Sequence, residues 1–452
     1  MKRTFLFLIL LVACSLWSGA SSKIYVGGDM SLVAAYEQAG DKWLDENGSP
    51  IADLITYVQS KGWNTVRLRL FVDPAQSTAD PSVCQDLAYV LALGKRIKDA
   101  GLYLMLDFHY SDTWADPETQ KIPASWTLHA DADLAAQLYA YTYSAISAMI
   151  GGGATPDLVQ TGNEITYGLL WNTGDGTYPK SSSQYASAGY CPTWSAQYAD
   201  GQSQWRRTAS LLNNAAHGVR QAYHQSGLDS TQVSIVVHTE MGSAKANGDN
   251  FYRHLRTAGF TNYDVIGLSY YPFWHGPLST LSTLLTTLQT DFPEKPVHIV
   301  ETAWYNNWYP TGAPYTIAQL NSRWTADAQG QVNYLTDLIA HLQGHPNVKG
   351  LSYWCPEECG NGYQKKVMNS WINRGLWQSN SGQRHALMKA PDGTNPVALL
   401  STFLLTDGIE EIETLPHTNA SSLHHSLYDL SGRRIEKPVH GVNIQNGRKI
   451  LR

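Results

Sequence analysis

One short segment decides the fold that this sequence predicts: residues 297–304 read Val-His-Ile-Val-Glu-Thr-Ala-Trp. The run is apolar and β-branched and follows Pro296, a pattern that is typical of a short buried strand in a parallel sheet. Glu301 lies at the carboxyl end of that strand. In barrels of parallel strands, the functional side chains occupy this end. Glu301 is therefore the first candidate site residue.

Seven further segments have the same strand-like character, and amphipathic helical stretches separate them. They are Ile24–Gly28, Thr65–Phe71, Leu102–Phe108, Leu158–Gly162, Val233–His238, Val265–Tyr270 and Gly350–Trp354. Eight strands that alternate with helices predict an α/β fold, a (β/α)8 TIM barrel with long loops. A doubly wound open sheet would also alternate strands and helices. However, Gly27-Gly28-Asp29 is too short for the glycine-rich phosphate loop of that fold.

We divide the chain into three parts. Residues 1–20 combine a basic start, an apolar run and small residues near the end, as signal peptides do, so we expect a secreted or cell-surface protein. The residues up to Cys14 are also similar to a bacterial lipobox, in which Cys14 would carry a lipid. Residues 21–403 form the predicted barrel and residues 404–452 a small β-rich tail. After the leader, no stretch is long and apolar enough to span a bilayer.

Composition limits the partners of the protein. The net charge of -6 and the lack of a basic run exclude a nucleic-acid-binding protein. The chain has 15 Trp and 26 Tyr against 9 Phe, and the flat faces and polar edges of Trp and Tyr suit stacking on sugar rings. Ordinary packing in the core would account for many of these rings. We expect a monomer.

A second glutamate makes the chemistry of Glu301 specific. Glu164 follows the predicted strand Leu158–Gly162, three strands before Glu301, so both carboxyl groups would face the mouth of the barrel. Glycoside hydrolysis requires such a pair, one to protonate the leaving oxygen and one to act as nucleophile or to activate water. Asn163 could bind the 2-hydroxyl of the sugar. Either glutamate alone could instead be an exposed loop residue or a helix cap.

Other strand ends carry groups that suit a sugar site. Arg67 and Arg69 occupy alternate positions of one strand and so point the same way, where a guanidinium could orient a carboxylate and keep it ionised. A salt bridge in the core is the alternative for at least one of them. The remaining candidates for substrate binding are His109, Asp112, Trp114, Tyr270 and Trp354. We expect the tyrosine to hold a nucleophilic carboxylate and the tryptophans to line a sugar subsite.

Several motifs together resemble glycoside hydrolase family 53. They are Leu-Asp-Phe-His-Tyr-Ser-Asp-Thr-Trp-Ala-Asp-Pro at 106–117, Gly-Asn-Glu-Ile at 162–165, Gly-Leu-Leu-Trp at 168–171, Ser-Tyr-Tyr-Pro at 269–272, Val-Glu-Thr at 300–302 and Arg-Leu-Arg at 67–69. The resemblance implies a retaining endo-β-1,4-galactanase on a (β/α)8 barrel, with β-1,4-galactan as its partner. It also implies that Glu164 is the acid/base and Glu301 the nucleophile, whereas the residues alone left the two roles open.

Two rivals share parts of this pattern. Another retaining β-glycanase of the same clan, such as a mannanase or a glucanase, would have the same catalytic pair with different subsites. A carbohydrate-binding barrel without catalysis would have no need of both Glu164 and Glu301. The tail after residue 403 resembles the C-terminal β modules of secreted Bacteroidetes proteins, some of which are sorting signals, and a weakly ordered extension is the alternative.

We expect no required cofactor and no metal among the site residues. Some bacterial members of the resembling family bind calcium in loops near strands seven and eight, so a structural calcium site that uses Asn306, Asn307, Glu357 and Glu358 stays open. After the leader, the cysteines are Cys84, Cys191, Cys355 and Cys359. Four cysteines do not make a disulfide scaffold, although the last two are close enough in sequence for a local loop staple.

Overall fold

The computed structural model describes most of the chain. It covers residues 23–77, 79–126, 131–171, 205–240, 248–359, 367–368, 371–381 and 383–406, together with short strands between 427 and 451. The proposed signal peptide, its Cys14, the stretch 172–204 and Cys191 lie outside these residues. In the described part, no helix combines the length and the apolar character needed to cross a membrane.

Eight parallel strands close into a barrel, which confirms the predicted fold class. In chain order they are β1 (Tyr25–Asp29), β2 (Thr65–Leu70), β3 (Tyr103–Phe108), β4 (Leu158–Thr161), β5 (Ser234–Glu240), β6 (Val265–Ser269), β7 (Val297–Thr302) and β8 (Val348–Trp354). All eight coincide with the predicted segments to within two residues at each end. The barrel closes where β1 pairs with both β2 and β8, and Asp29 there lies opposite Arg67 on one side and Trp354 on the other.

Helices surround the barrel, and their apolar stripes pack onto the outer face of the strands. They are Val33–Gln38, Leu54–Ser60, Leu87–Asp99, Asp131–Gly151, Trp205–Gln225, Gly248–Thr257, Pro272–His275, Leu278–Asp291, Ala328–Gln343 and Pro396–Leu400. Short 3-10 turns lie at Pro74–Gln76, Ser230–Gln232 and Ser401–Thr406. Aspartates cap several helices: the Asp53 carboxylate accepts the backbone N–H groups of Ile55 and Thr56, and Asp327 accepts that of Gly330.

The barrel interior has an apolar layer below a polar one. The apolar cluster contains Met105, Leu158, Val236, Val265 and Val300. Two residues further along three of these strands, side chains of the same face are polar, namely Asp107, Gln160 and His238. The apolar layer thus closes the barrel from below, and the polar layer faces its carboxyl end. This places a set of buried polar groups directly beneath the mouth.

Two small sheets lie outside the barrel. One joins Lys42–Trp43, Trp377–Ser381 and Arg384–Leu387. The other is an antiparallel sheet of Leu427–Tyr428, Arg434–Ile435, Val442–Gln445 and Arg448–Leu451, so the tail is β-rich as predicted. The domain boundary at residues 403 and 404 stays a prediction.

The two neighbouring cysteines are not joined. Cys355 and Cys359 are buried free thiols, so the local disulfide that their spacing allowed is not formed. Arg69 Nη1 donates to the Cys355 sulfur at 3.6 Å, and the Cys359 thiol donates to the carbonyl of Glu357 at 3.3 Å. Each sulfur is therefore engaged with a different partner.

The close approach of β7 and β8 gives a test of the barrel packing. A Cβ on Gly350 would lie 2.4 Å from Cγ of His298, whereas a Cβ on Gly151, at the end of a helix, would meet nothing within 4 Å. We expect Gly350→Ala to lower the free energy of unfolding by about 1–3 kcal/mol through overpacking. Gly151→Ala should change it by less than about 1 kcal/mol. Urea denaturation of both variants checks this, and an equal response would contradict the described packing.

Candidate active site

Glu301 lies at the end of β7 with both carboxylate oxygens held by the protein. Oε1 lies 2.9 Å from Nη2 of Arg67, and Oε2 accepts the hydroxyl of Tyr271 at 3.0 Å. The residue is only 6% exposed, so these contacts are made largely out of water. Contacts of this kind fix the orientation of the carboxylate and favour its ionised form.

An irregularity of β7 turns Glu301 inward. The pairing of β7 with β8 changes register between Ile299 and Thr302. Val300 belongs to the apolar cluster inside the barrel, and the next residue, Glu301, also contacts a residue inside it. Strict alternation would have placed these neighbours on opposite faces. Bulges of this kind commonly re-aim a side chain beside an active site.

Arg67 connects Glu301 to the polar layer. Its Nη1 lies 2.7 Å from Oδ2 of Asp29, and its Nη2 lies 2.9 Å from Oδ2 of Asp107. Nη2 also donates to Oδ1 of Asn163 at 2.9 Å. The guanidinium is fully buried, so Arg67 supports the carboxylates and we withdraw the expectation that it contacts substrate.

Glu164 follows β4 in a strained backbone conformation. Its φ is +46°, in the left-handed region that glycine favours. Its backbone N–H donates to Nδ1 of His238 at 3.3 Å, and this contact ties the turn to β5. Strained residues of this kind occur preferentially at functional sites.

The two glutamates differ in how readily they ionise. Burial raises the pKa of Glu301 to about 7; Asp107 and Asp29 add to this rise, while Arg67 and the Tyr271 hydroxyl oppose it. Burial and the charge of Glu301 raise the pKa of Glu164 well above its usual range. Both carboxyl groups therefore resist ionisation, and the charge of an ionised Glu301 adds to the resistance of Glu164. A protonated and an ionised carboxyl at one site can act as acid and as nucleophile or base.

Arg69 contacts Asp29 and Trp114 beneath the mouth of the barrel. Its Nη1 lies 2.9 Å from Oδ1 of Asp29, and its guanidinium stacks 4.6 Å from the ring centre of Trp114. Arg69 is fully buried, so we reassign it from substrate contact to support of Trp114 and Asp29. Such cation–π contacts hold both groups in place.

His109 and Asp112 organise the loop after β3. His109 Nδ1 accepts the N–H of Ala115 at 3.0 Å, and its Nε2 lies 3.2 Å from Oδ2 of Asp107. The Asp112 carboxylate accepts the N–H groups of Asp73 and Ala124 at 3.1 and 2.7 Å. In the described structure both side chains thus serve the loop that carries Trp114.

Aromatic rings form one side of the mouth. Trp114 and Trp354 have ring centres 6.2 Å apart, and Trp371 lies 6.5 Å from Trp354. The Arg374 guanidinium stacks 4.2 Å from the ring centre of Trp371. Trp371 is 49% exposed, so this wall is open to a ligand. Flat rings of this kind suit the apolar face of a sugar.

The structure corrects the expectation for Tyr270. This side chain is fully buried, and its hydroxyl donates to the carbonyl of Gly276 at 2.9 Å, away from Glu301. The next residue, Tyr271, holds the carboxylate instead. Side chains alternate in direction along an extended chain. Because Tyr271 points into the barrel mouth, its neighbour Tyr270 points away from it.

Two of the four residues considered for calcium have a carboxylate oxygen held by backbone donors. Glu358 Oε2 accepts the N–H groups of Asn373, Arg374 and Gly375 at 2.8, 3.1 and 3.1 Å, and Glu357 Oε1 accepts that of Leu32 at 2.8 Å. Among the described residues, no group of three or more His, Cys, Asp or Glu side chains could hold a metal ion.

Sequence reasoning missed the buried polar residues that surround Asn163 and Glu164. Gln160, His238 and Ser269 form hydrogen bonds around Asn163 and Glu164. The available signal was weak: each is a polar residue near the carboxyl end of an otherwise apolar strand. Such residues are informative, because a barrel interior is normally filled by apolar side chains.

Comparison with known proteins identifies the family. The model of glycosyl hydrolase family 53 matches residues 25–389. An uncharacterized protein of Niallia circulans is 33% identical over 73% of this chain and 83% of its own length. A probable arabinogalactan endo-β-1,4-galactanase A of Aspergillus tubingensis is 32% identical over 77% of this chain and 89% of its own length. The solved family 53 catalytic domain of Ignisphaera aggregans has a TM-score of 0.66 at 27% identity, covering 86% of this chain and 98% of that domain.

The barrel, with Glu164 and Glu301 at the carboxyl ends of β4 and β7, has the arrangement of a glycoside hydrolase. The chain belongs to glycosyl hydrolase family 53. The predicted family and enzyme class are therefore confirmed. Hydrolysis by a pair of carboxyl groups needs no cofactor.

Matched variants can test whether Tyr271, rather than Tyr270, holds the Glu301 carboxylate. Tyr271→Phe removes a hydrogen bond that favours the ionised form of Glu301, so the pKa of Glu301 should rise from about 7 by about one unit. Tyr270→Phe removes a buried hydroxyl that faces Gly276 and should leave this pKa unchanged. Titration of the ¹³C-labelled glutamate carboxyl groups by NMR checks both variants. A shift in Tyr270→Phe alone would reverse our correction.

Proposed function

We propose that this protein is an endo-β-1,4-galactanase that hydrolyses β-1,4-galactan, the side chain of the type I arabinogalactan of pectin, with retention of anomeric configuration. The observation that carries the mechanism is the contrast between the two glutamates: Arg67 and Tyr271 hold Glu301, whereas burial and the charge of Glu301 keep the proton on Glu164. Relatives named arabinogalactan endo-β-1,4-galactanase support the substrate.

In the first step, the Glu301 carboxylate attacks the anomeric carbon while Glu164 protonates the glycosidic oxygen. The glycosidic bond breaks, the leaving chain departs with the proton, and a covalent glycosyl-enzyme forms on Glu301. Retaining enzymes perform this step with carboxyl groups about 5–5.5 Å apart, and we expect this separation here.

In the second step, Glu164 acts as the base. The charge of Glu301 has been lost to the glycosyl ester. The pKa of Glu164 therefore falls, because this charge was one of the influences that raised it. Glu164 then removes a proton from water, which attacks the anomeric carbon and releases the sugar. Glu301 regains its charge and the cycle closes.

We propose that the sugar lies against Trp114 and Trp354, with His109 and Asp112 shaping the loop beneath it. We propose that Asn163 binds the 2-hydroxyl. One hydrogen of its amide donates to the Ala115 carbonyl at 2.8 Å, and the amide has a second one to offer. A hydrogen bond to the 2-hydroxyl strengthens in the transition state.

Two alternatives make different predictions. A clan-related mannanase or glucanase would use the same pair of glutamates on another polymer. A carbohydrate-binding barrel would bind without turnover, and the distinct environments of Glu164 and Glu301 speak against it. We also propose that the enzyme is exported as a monomer by its signal peptide, with lipid attachment at Cys14 as the alternative, and that residues 404–452 direct its sorting.

The catalytic pair predicts two different losses of function. Glu301→Gln should abolish release of oligosaccharides from galactan while binding survives, because the nucleophile is gone. Glu164→Gln should still form a glycosyl-enzyme from an activated aryl glycoside, whose leaving group needs no proton. Product sizes on galactan, mannan and cellulose, followed over time, and the intact mass of the enzyme are the measurements. Glu118→Gln, in an exposed loop residue, is the control and should match wild type. Full activity in either catalytic variant would refute the assignment.

The tail gives an independent prediction. A chain that ends at residue 405 keeps the barrel and the buried Phe403, so its hydrolysis of galactan should equal that of the full chain. Export or surface placement should change instead. Activity assays on purified protein and fractionation of expressing cells separate the two effects. A loss of hydrolysis would show that the catalytic domain extends beyond residue 403.

A further inference from the structure

Glu240 is a further carboxylate at the mouth of the barrel, and the proposed reaction does not use it. It is the last residue of β5, and its Cα is paired with that of Ser269 on β6. Ser269 is paired in turn with Glu301 on β7. The three residues thus form one row across neighbouring strands, which places the Cα atoms of Glu240 and Glu301 about 10 Å apart.

The alternation of side chains along β5 directs Glu240 into the mouth. Val236 belongs to the apolar cluster inside the barrel, and the ring of His238 accepts the backbone N–H of Glu164 at 3.3 Å. Glu240 follows on the same face, because the pairing of β5 with β6 keeps its register up to this residue. Burial and the charges of Glu301 and Glu240 raise the pKa of Glu164. Glu240 therefore lies beside the proposed acid/base residue.

His275 fixes the orientation of the Glu240 carboxylate. This histidine ends the short helix Pro272–His275 after β6, and its Nδ1 accepts the backbone N–H of Tyr271 at 2.9 Å. The hydrogen of the ring is therefore on Nε2, which lies 3.2 Å from Oε2 of Glu240. Each carboxylate oxygen has two lone pairs, so a carboxylate that accepts one hydrogen bond can accept others. Glu240 is thus held in place and can still bind the hydroxyl groups of a sugar.

The position of Glu240 around the barrel indicates which sugar it meets. Trp354 ends β8 and Trp114 follows β3, so the aromatic wall lies on one side of the closed barrel and β5 on the other. In the proposed complex, the sugar that becomes attached to Glu301 lies against that wall, and the leaving sugar lies across the glycosidic bond from it. We propose that Glu240, oriented by His275, accepts hydrogen bonds from the hydroxyl groups of the leaving sugar. This assignment rests on the proposed function.

The same contact acts on an acceptor sugar. After the first step the leaving sugar departs, and a second sugar can enter its place instead of water. A hydroxyl of that acceptor then attacks the anomeric carbon, Glu164 removes its proton, and the ester bond to Glu301 breaks. Glu240 holds the acceptor as it held the leaving sugar. An aryl leaving group has no hydroxyl groups, so aryl substrates separate the contribution of Glu240 from that of the catalytic pair.

The experiment compares Glu240→Ala with Asp41→Asn. Asp41 is also a buried carboxylate paired with a histidine, since its Oδ1 lies 2.6 Å from Nε2 of His385, but this pair lies at the small sheet outside the barrel. Loss of a hydrogen bond to a charged group is worth about ten- to a hundredfold in rate. In Glu240→Ala, kcat/KM for galactotetraose should fall by about that factor relative to kcat/KM for an aryl β-galactobioside. Asp41→Asn should leave this ratio unchanged, with each variant measured at its own optimum pH.

Transfer to an acceptor gives a second measurement. With the aryl β-galactobioside as donor and galactobiose as acceptor, wild type and variant form the same glycosyl-enzyme. In Glu240→Ala, the ratio of transfer to hydrolysis should fall by about ten- to a hundredfold, because the acceptor is held less tightly. If the alanine variant does not fold, Glu240→Gln, which keeps a hydrogen-bond acceptor without the charge, should give a smaller fall in the same direction.

An unchanged value of either ratio in the folded Glu240 variants would overturn the proposal. Equal losses on the tetrasaccharide and on the aryl substrate would also overturn it, and so would an equal change in Asp41→Asn. A wild type that cleaves mannan and not galactan would refute the proposed function instead. The same two ratios, measured with mannotetraose and an aryl β-mannobioside, would then still test the role of Glu240.

Discussion

The buried ion pairs of Arg67 with Asp29, Asp107 and Glu301 are the interaction on which the site depends. One guanidinium contacts carboxylates from three strands, so its position fixes β1, β3 and β7 relative to one another. Removing one member of such a set leaves an uncompensated charge, at a cost of about 3–5 kcal/mol. The carboxylates and the arginine are thus interdependent. The orientation of Glu301 therefore depends on the whole polar layer of the barrel.

The same layer gives two identical residue types different chemistry. Glu301 is next to a cation and a phenol hydroxyl, while Glu164 is surrounded mainly by acidic neighbours and is shielded from water. The contrast comes from position around the barrel, since β7 lies within reach of Arg67 and the turn after β4 contacts His238. In the proposed mechanism, acid and nucleophile therefore need no difference in side chain, only a difference in what surrounds them.

The sequence was sufficient for the eight strands and for singling out Glu164 and Glu301 at their ends, because β-branched runs and the glutamates that follow them are local patterns. It did not distinguish Tyr270 from Tyr271. That choice depends on where β6 ends and on a period of two, so an error of one residue reverses it. The inward turn of Glu301 depends on a shift of register between β7 and β8, which is a property of paired strands. The sequence also did not predict that Arg67 and Arg69 are fully buried. Alternation along a strand predicts which face a side chain is on, but not how far it lies from solvent.

The left-handed backbone at Glu164 has a consequence for the evolution of the chain. A glutamate in this conformation is less stable than a glycine would be, by about 1 kcal/mol, and the rest of the fold must sustain the difference. Selection for stability alone would therefore favour replacement of Glu164, the proposed acid/base residue. In this barrel, selection for thermal robustness alone and selection for turnover act in opposite directions at a single position.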